Sequence, residues 1–161
     1  MEPMMFVKWI HVLSSTILFG TGIGIAFFML MAHRTRDPKV IAGVAGIVVV
    51  ADFLFTATAG VVQPLTGAIL MSMQEVSPAA PWIVAALSLF VFVGACWVPV
   101  VFIQMRMKRL AEQAVAEGTG LPEEYDRLYS RWFALGVPAF LAMVCIFYLM
   151  LAQPALWGKA G

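Results

Sequence analysis

The chain has 161 residues, 62% of them hydrophobic and 12% charged, with a formal net charge of +1. Soluble domains carry about 25% charged residues, so this composition excludes an ordinary soluble enzyme. The near-zero charge removes any electrostatic case for nucleic acid as a partner. The remaining class is a protein dissolved in membrane lipid.

Four long intervals separate the charged residues: Trp9 to His33, Val40 to Gln74 with Asp52 alone inside it, Val76 to Met105, and Trp132 to Gly158. Each exceeds the ~20 apolar residues that carry a helix across ~30 Å of hydrocarbon. A membrane barrel would instead show ~10-residue segments of alternating polarity, which do not occur here. The sequence thus predicts an all-α fold, a polytopic membrane protein forming one four-helix transmembrane bundle. Its spans run over about 5–32, 40–73, 82–105 and 132–153.

In chain order, "MEPMMF" has an acid where a signal peptide has a basic region, so the first apolar run reads as a retained helix. Gly20, Gly22 and Gly24 in that run predict a face that another helix approaches closely. The second span is too long for one crossing and is expected to tilt, protrude or bend near Pro64. The third starts at Trp82 and runs through Pro99 to about Met105. From there "RMKRLAEQAVAE" continues as an amphipathic cytoplasmic helical segment ended by "GTGLP". Pro122, Glu123 and Glu124 open the helix that becomes the fourth span, closed by Pro154 and Trp157. Cys96 and Cys145 fall in different spans and read as packing residues.

Eight of the ten Lys and Arg residues lie in the first and third loops, and "QEVSPAAP" between them has none. By the positive-inside rule, both termini lie outside and both basic loops in the cytoplasm.

Polar groups at membrane depth are costly, which makes them functional candidates. His11, Gln63 and Tyr148 fall at comparable depths in the outer leaflet, and Lys8 stands one turn above His11 on the same helix face. An imidazole below a lysine suits haem b: His11 would ligate the iron and Lys8 would pair with a propionate. Equally open is a plain interhelical hydrogen bond from His11 with Lys8 reaching to the interface. His33 lies 22 residues away, ~33 Å along a helix, so the two histidines cannot share one haem within one chain. Met71, Met73 and Met150 are candidate sixth ligands or packing residues. His33, beside Arg34 and Arg36, fits a cytoplasmic head-group patch. Asp52, the one acid inside a span, reads as a proton relay or cation site, or as a structural interhelical bond.

The stretches "KWIHVLSSTILFGTGIGIAFFM", "ADFLFTATAGVVQPLTG", "PWIVAALSLFVFVGACWVPVVFIQMRM" and "RWFALGVPAFLAMVCIFYLM" resemble a family of bacterial predicted integral membrane proteins of unknown function. The resemblance covers nearly the whole chain and implies a multi-pass protein of the bacterial inner membrane. More distantly, "KWIH" followed by Gly20 and a histidine at the inner end of the first span is similar to the HemJ-type, haem-containing protoporphyrinogen oxidases, with a related helix layout in copper-resistance membrane proteins. What this likeness implies touches Lys8, His11 and His33: a lysine and histidine at haem, and an oxidoreductase activity. Phe6 stands where those oxidases usually have Trp, and the third span has no histidine.

Three readings follow. A haem b redox protein would use His11 and Lys8, with Gln63 and Tyr148 lining the pocket and Asp52 carrying protons. A small-solute or ion transporter would use Asp52, Gln63 and the Pro64 bend, as an oligomer. A noncatalytic scaffold or partner subunit would dock membrane proteins or its own copies through the glycine face and the 106–131 segment.

Overall fold

A computed structural model describes residues 2–154 and 156 of the chain; Trp157 lies outside them. The described chain is four long helices: α1 (Pro3–Thr35), α2 (Pro38–Met73), α3 (Pro81–Glu117) and α4 (Glu123–Ala152). All four are long and apolar enough to cross a membrane. Successive helices reverse direction, so the α1–α2 and α3–α4 turns share one end of the bundle with the basic residues. That end is called the basic end below.

Local chemistry sets the boundaries. Pro3, Pro38 and Pro81 each stand at a helix start, where the missing N–H is no loss. Asp37 caps α2 by accepting the Lys39 N–H at 2.8 Å, and Arg36 closes α1 in a left-handed conformation (φ 55°), giving a two-residue turn. Gly118 (φ 65°) ends α3, where glycine pays no Cβ penalty, and the Thr119 N–H returns to the Ala114 carbonyl at 2.9 Å. The amphipathic segment expected between the third and fourth spans is the continuation of α3 to Glu117 and the first turns of α4.

The irregularity of α2 lies earlier than Pro64. Residues Asp52–Thr56 form a single π-helical turn in which the Ala57 N–H reaches back to the Asp52 carbonyl, while the helix continues through Pro64 to Met73. An inserted residue of this kind rotates everything beyond it relative to the preceding face. Before the π turn, Ile41, Ala45 and Val48 are buried and α2 packs on both α1 and α3. Beyond it, α2 turns Ala59 and Thr66 inward and packs on α1, with marginal contact at most to α3 or α4.

The two halves of the bundle are therefore unlike. At the basic end Met29, Ile41, Ala45, Met107, Ala111 and Tyr125 are fully buried in one core shared by all four helices. Small residues permit this closeness: a Cβ on Gly46 would meet Lys108 Cε at 3.5 Å. Two bidentate ion pairs, Arg36 with Asp126 and Arg106 with Glu124, tie α4 to the α1–α2 turn and to α3. In the other half, the α1–α2 and α3–α4 pairs are bridged by Phe19, which stacks on Phe140 at 5.6 Å and meets Phe147 edge-on at 5.1 Å.

The glycine face of α1 does not make the close helix contact its spacing suggests. A Cβ on Gly20 or Gly22 would meet nothing within 4 Å, and one on Gly24 would touch only Phe28 of the same helix. The close approach in this half is at Gly67, where an added Cβ would lie 3.4 Å from His11 Cε1.

Candidate functional site

The split between the two helix pairs leaves a cavity of about 820 Å³ at membrane depth. Its walls are apolar and aromatic, among them Phe19, Phe90, Phe133 and Phe140, and Gly22 contributes bare backbone. Several wall residues, including Ile23, Phe27, Val61, Val98 and Leu141, are also exposed on the lipid-facing surface, so the cavity opens sideways toward lipid. Toward the basic end its floor is polar: Asp52, Thr56, Trp97, Gln104 and Trp132 all border it.

Asp52 is 2% exposed, and its π turn places it against α3. Trp97 Nε1 donates to one carboxylate oxygen at 3.0 Å. The Gln104 amide, in the one orientation that pairs donors with acceptors, donates to the other oxygen at 2.6 Å and accepts from Trp132 Nε1 at 3.1 Å. The network thus joins α2, α3 and α4, and its members are neutral donors except for Asp52 itself. Among the described residues no cation forms an ion pair with Asp52, and the Thr56 hydroxyl, buried beside the cavity, has no partner. Uncompensated polarity at this depth costs several kcal/mol in lipid, roughly 3 kcal/mol for an acid at the centre of a helix.

His11 belongs to a second constellation, between α1 and the far half of α2. Its Nδ1 lies 2.8 Å from Thr66 Oγ1, and that hydroxyl donates to the Val62 carbonyl at 2.7 Å. When that hydroxyl spends its proton on the Val62 carbonyl, it accepts from the imidazole, which puts the proton on Nδ1 and a lone pair on Nε2. Gln63 Nε2 donates to the His11 carbonyl and to Ser14 Oγ, both at 2.7 Å.

Of the residues selected from the sequence, the structure brings His11 and Gln63 together and adds Thr66 and Ser14 to them. Lys8 is exposed one turn further out, and Met71 is half-buried one turn beyond Gly67. Tyr148 is 63% exposed and Met150 38% exposed, both on α4 and neither bordering the cavity. It is Phe147, the neighbour of Tyr148, that faces α1. Asp52 stands apart, in the floor of the cavity.

Trp97, Gln104 and Trp132 escape a reading by span. Gln104 sits beside the first charges after the third apolar run and looks like an interfacial residue. Only the continuation of α3 to Glu117 places it mid-helix and fully buried. The available signal was the pair of tryptophans, since a buried indole N–H needs an acceptor.

His33, expected in a head-group patch beside Arg34 and Arg36, is half-buried next to those exposed arginines. Its ring lies parallel to Tyr129 with centroids 3.5 Å apart, and near-parallel to Tyr125 at 5.8 Å. Its Nδ1 and the Tyr125 hydroxyl are buried without partners among the described residues. Cys96 is buried at the cavity wall and Cys145 is exposed, both as free thiols. No group of three or more His, Cys, Asp or Glu side chains gathers among the described residues.

Residues 5–154 match a protein-family model described as "Predicted integral membrane protein (DUF2269)". No curated protein and no solved structure shows significant similarity to the chain. With nearly its whole length matched, and with four helices fit to span a bilayer, the chain belongs to this family of integral membrane proteins.

Proposed function

We propose that this member of the integral membrane protein family DUF2269 binds a lipophilic small molecule inside the bilayer, with the polar end of that molecule directed at Asp52. The observation that carries this reading is the cavity of about 820 Å³ with a buried carboxylate in its floor. Its volume lies in the range of about 300–1,000 Å³ usual for small-molecule sites, and it has their pattern of apolar walls with few convergent polar groups. The cavity wall is exposed to lipid, so a ligand dissolved in the membrane enters without crossing water. Trp97 and Gln104 hold the Asp52 side chain in place, and Trp132 holds Gln104.

Cys96 makes the reading testable, because its thiol borders the cavity. In a Cys145→Ala background, a membrane-soluble maleimide is expected to label Cys96 more than tenfold faster than a charged, membrane-impermeant one. Gly22→Leu, which places a side chain in the cavity, is expected to suppress that labelling. Labelling indifferent to Gly22→Leu would remove the cavity as an accessible site.

A second reading, haem b held by His11 in a redox protein, is favoured by the state of that imidazole. The Thr66 hydroxyl lies 2.8 Å from Nδ1, which is how ligating histidines are commonly oriented, and this makes Nε2 the nitrogen that would meet iron. Lys8 is available one turn outward for a carboxylate, and Met71, Met73 and Met150 are the thioethers toward that end of α2 and α4. A haem there would supply one-electron transfer. Protein purified in detergent from haem-replete cells would then show a Soret band, absent in His11→Ala; colourless wild-type protein would overturn this reading.

A further inference from the structure

We infer that the ligand of the intramembrane cavity is a lipophilic cation, an inference that rests on the cavity being a ligand site. Of the described residues that border it, Asp52 is the one acid, and no Lys, Arg or His is among them. Both carboxylate oxygens already take one N–H, from Trp97 and from Gln104. Both donors are neutral N–H groups, so they bond the two oxygens without supplying a counter-charge. They also leave lone pairs on each oxygen, since a carboxylate offers about four acceptor sites.

The three classes of ligand then differ sharply. An anion would meet a carboxylate in a low-dielectric wall with no basic group beside it, which is repulsive. A neutral lipid would fill the apolar walls but bring no counter-charge to the one acid in the cavity. A cation with apolar substituents satisfies both parts: its charge pairs with Asp52 and its substituents meet Phe19, Phe90, Phe133 and Phe140. The indole of Trp97, bordering the cavity while its N–H is bonded to Asp52, adds an aromatic face attractive to a cation. Small hydrated cations are a poor match, because outside the polar floor the walls are apolar and cannot replace their water.

Charge and shape separate cleanly in two probes, tetraphenylphosphonium and tetraphenylborate, which are nearly identical in size and opposite in sign. Binding of each to the full chain in phosphatidylcholine nanodiscs would be measured by equilibrium dialysis, after subtraction of partition into empty nanodiscs. The expected result is saturable, one-to-one binding of the phosphonium at least tenfold tighter than that of the borate. Asp52→Asn is expected to abolish this discrimination and Asp52→Glu to retain it, while Gly22→Leu, which leaves the polar floor untouched, lowers binding of the phosphonium at least tenfold. Equal binding of both probes, or preference for the borate, with loss in Gly22→Leu would overturn the cationic assignment and leave the cavity as a ligand site. Saturable binding of neither probe would overturn both.

Discussion

The basic-end half of the bundle and the opposite half are built from similar residues and behave as different materials. In the first, all four helices converge on Met29, Ile41, Met107 and Tyr125, each with essentially no exposed surface. In the second, helix pairs stand apart around a cavity, and glycines that could have brought backbones together face open space. Because lipid tails are as apolar as the side chains, apolar character alone does not drive helices together in a bilayer; close packing and interhelical hydrogen bonds do. One end is closed by a shared core and the other stays open around the cavity. The Asp52 network marks the seam between them.

That division predicts a ranking of stability effects, each measurable as a shift in thermal unfolding of detergent-purified protein. The largest belongs to the packed half: Met29→Ala empties a site of 0% exposure where four helices meet and is expected to cost about 2–5 kcal/mol. A shift as small as that of a surface mutation would break the claim that this end carries the fold. At the seam, Trp132→Phe keeps most of the ring but removes the N–H that serves Gln104, leaving a buried amide oxygen unpaired. The expected cost is about 1–3 kcal/mol. In the His11 constellation, Gln63→Leu deletes the two donations to His11 and Ser14 and is expected to cost about 1 kcal/mol per bond, partly offset by better helix propensity. Smaller still is Arg36→Ala, since the ion pair with Asp126 is about half exposed and such pairs contribute about 0–1 kcal/mol. High salt is expected to shrink the difference between Arg36→Ala and wild type. Smallest of all is Gly22→Leu, which meets open space and replaces a poor helix former, so stability is expected to stay level or rise by up to about 1 kcal/mol. A large loss of stability in that variant would show that the cavity half is packed after all.

How far the sequence spoke for the structure differs from residue to residue. The pairing of Gln63 with His11 was legible because both are polar and lie at similar depth on neighbouring helices. The same depth argument placed Tyr148 with them, yet its side chain faces lipid, because depth fixes height along a helix and says nothing of rotation about its axis. The glycine face of α1 failed for a related reason: small residues permit close approach but do not compel it. Pro64 drew attention as the breaker in α2, whereas the ladder changes at Asp52–Thr56, a turn with no proline or glycine in it. His33 sits among arginines in sequence and among tyrosines in space, since α4 folds back over the end of α1.

The sequence by itself determined that this is a four-helix membrane protein and that His11, Asp52 and Gln63 lie within its apolar runs. Those properties follow from additive hydrophobicity over a segment and from hydrogen bonds that close within a few residues. Only the tertiary structure decided that Asp52 meets Trp97, 45 residues away, that Gln104 links it to Trp132, and that the space above them stays open. These outcomes depend on how far each helix is rotated against its neighbours. In α2 that rotation changes across a single π turn at Asp52–Thr56.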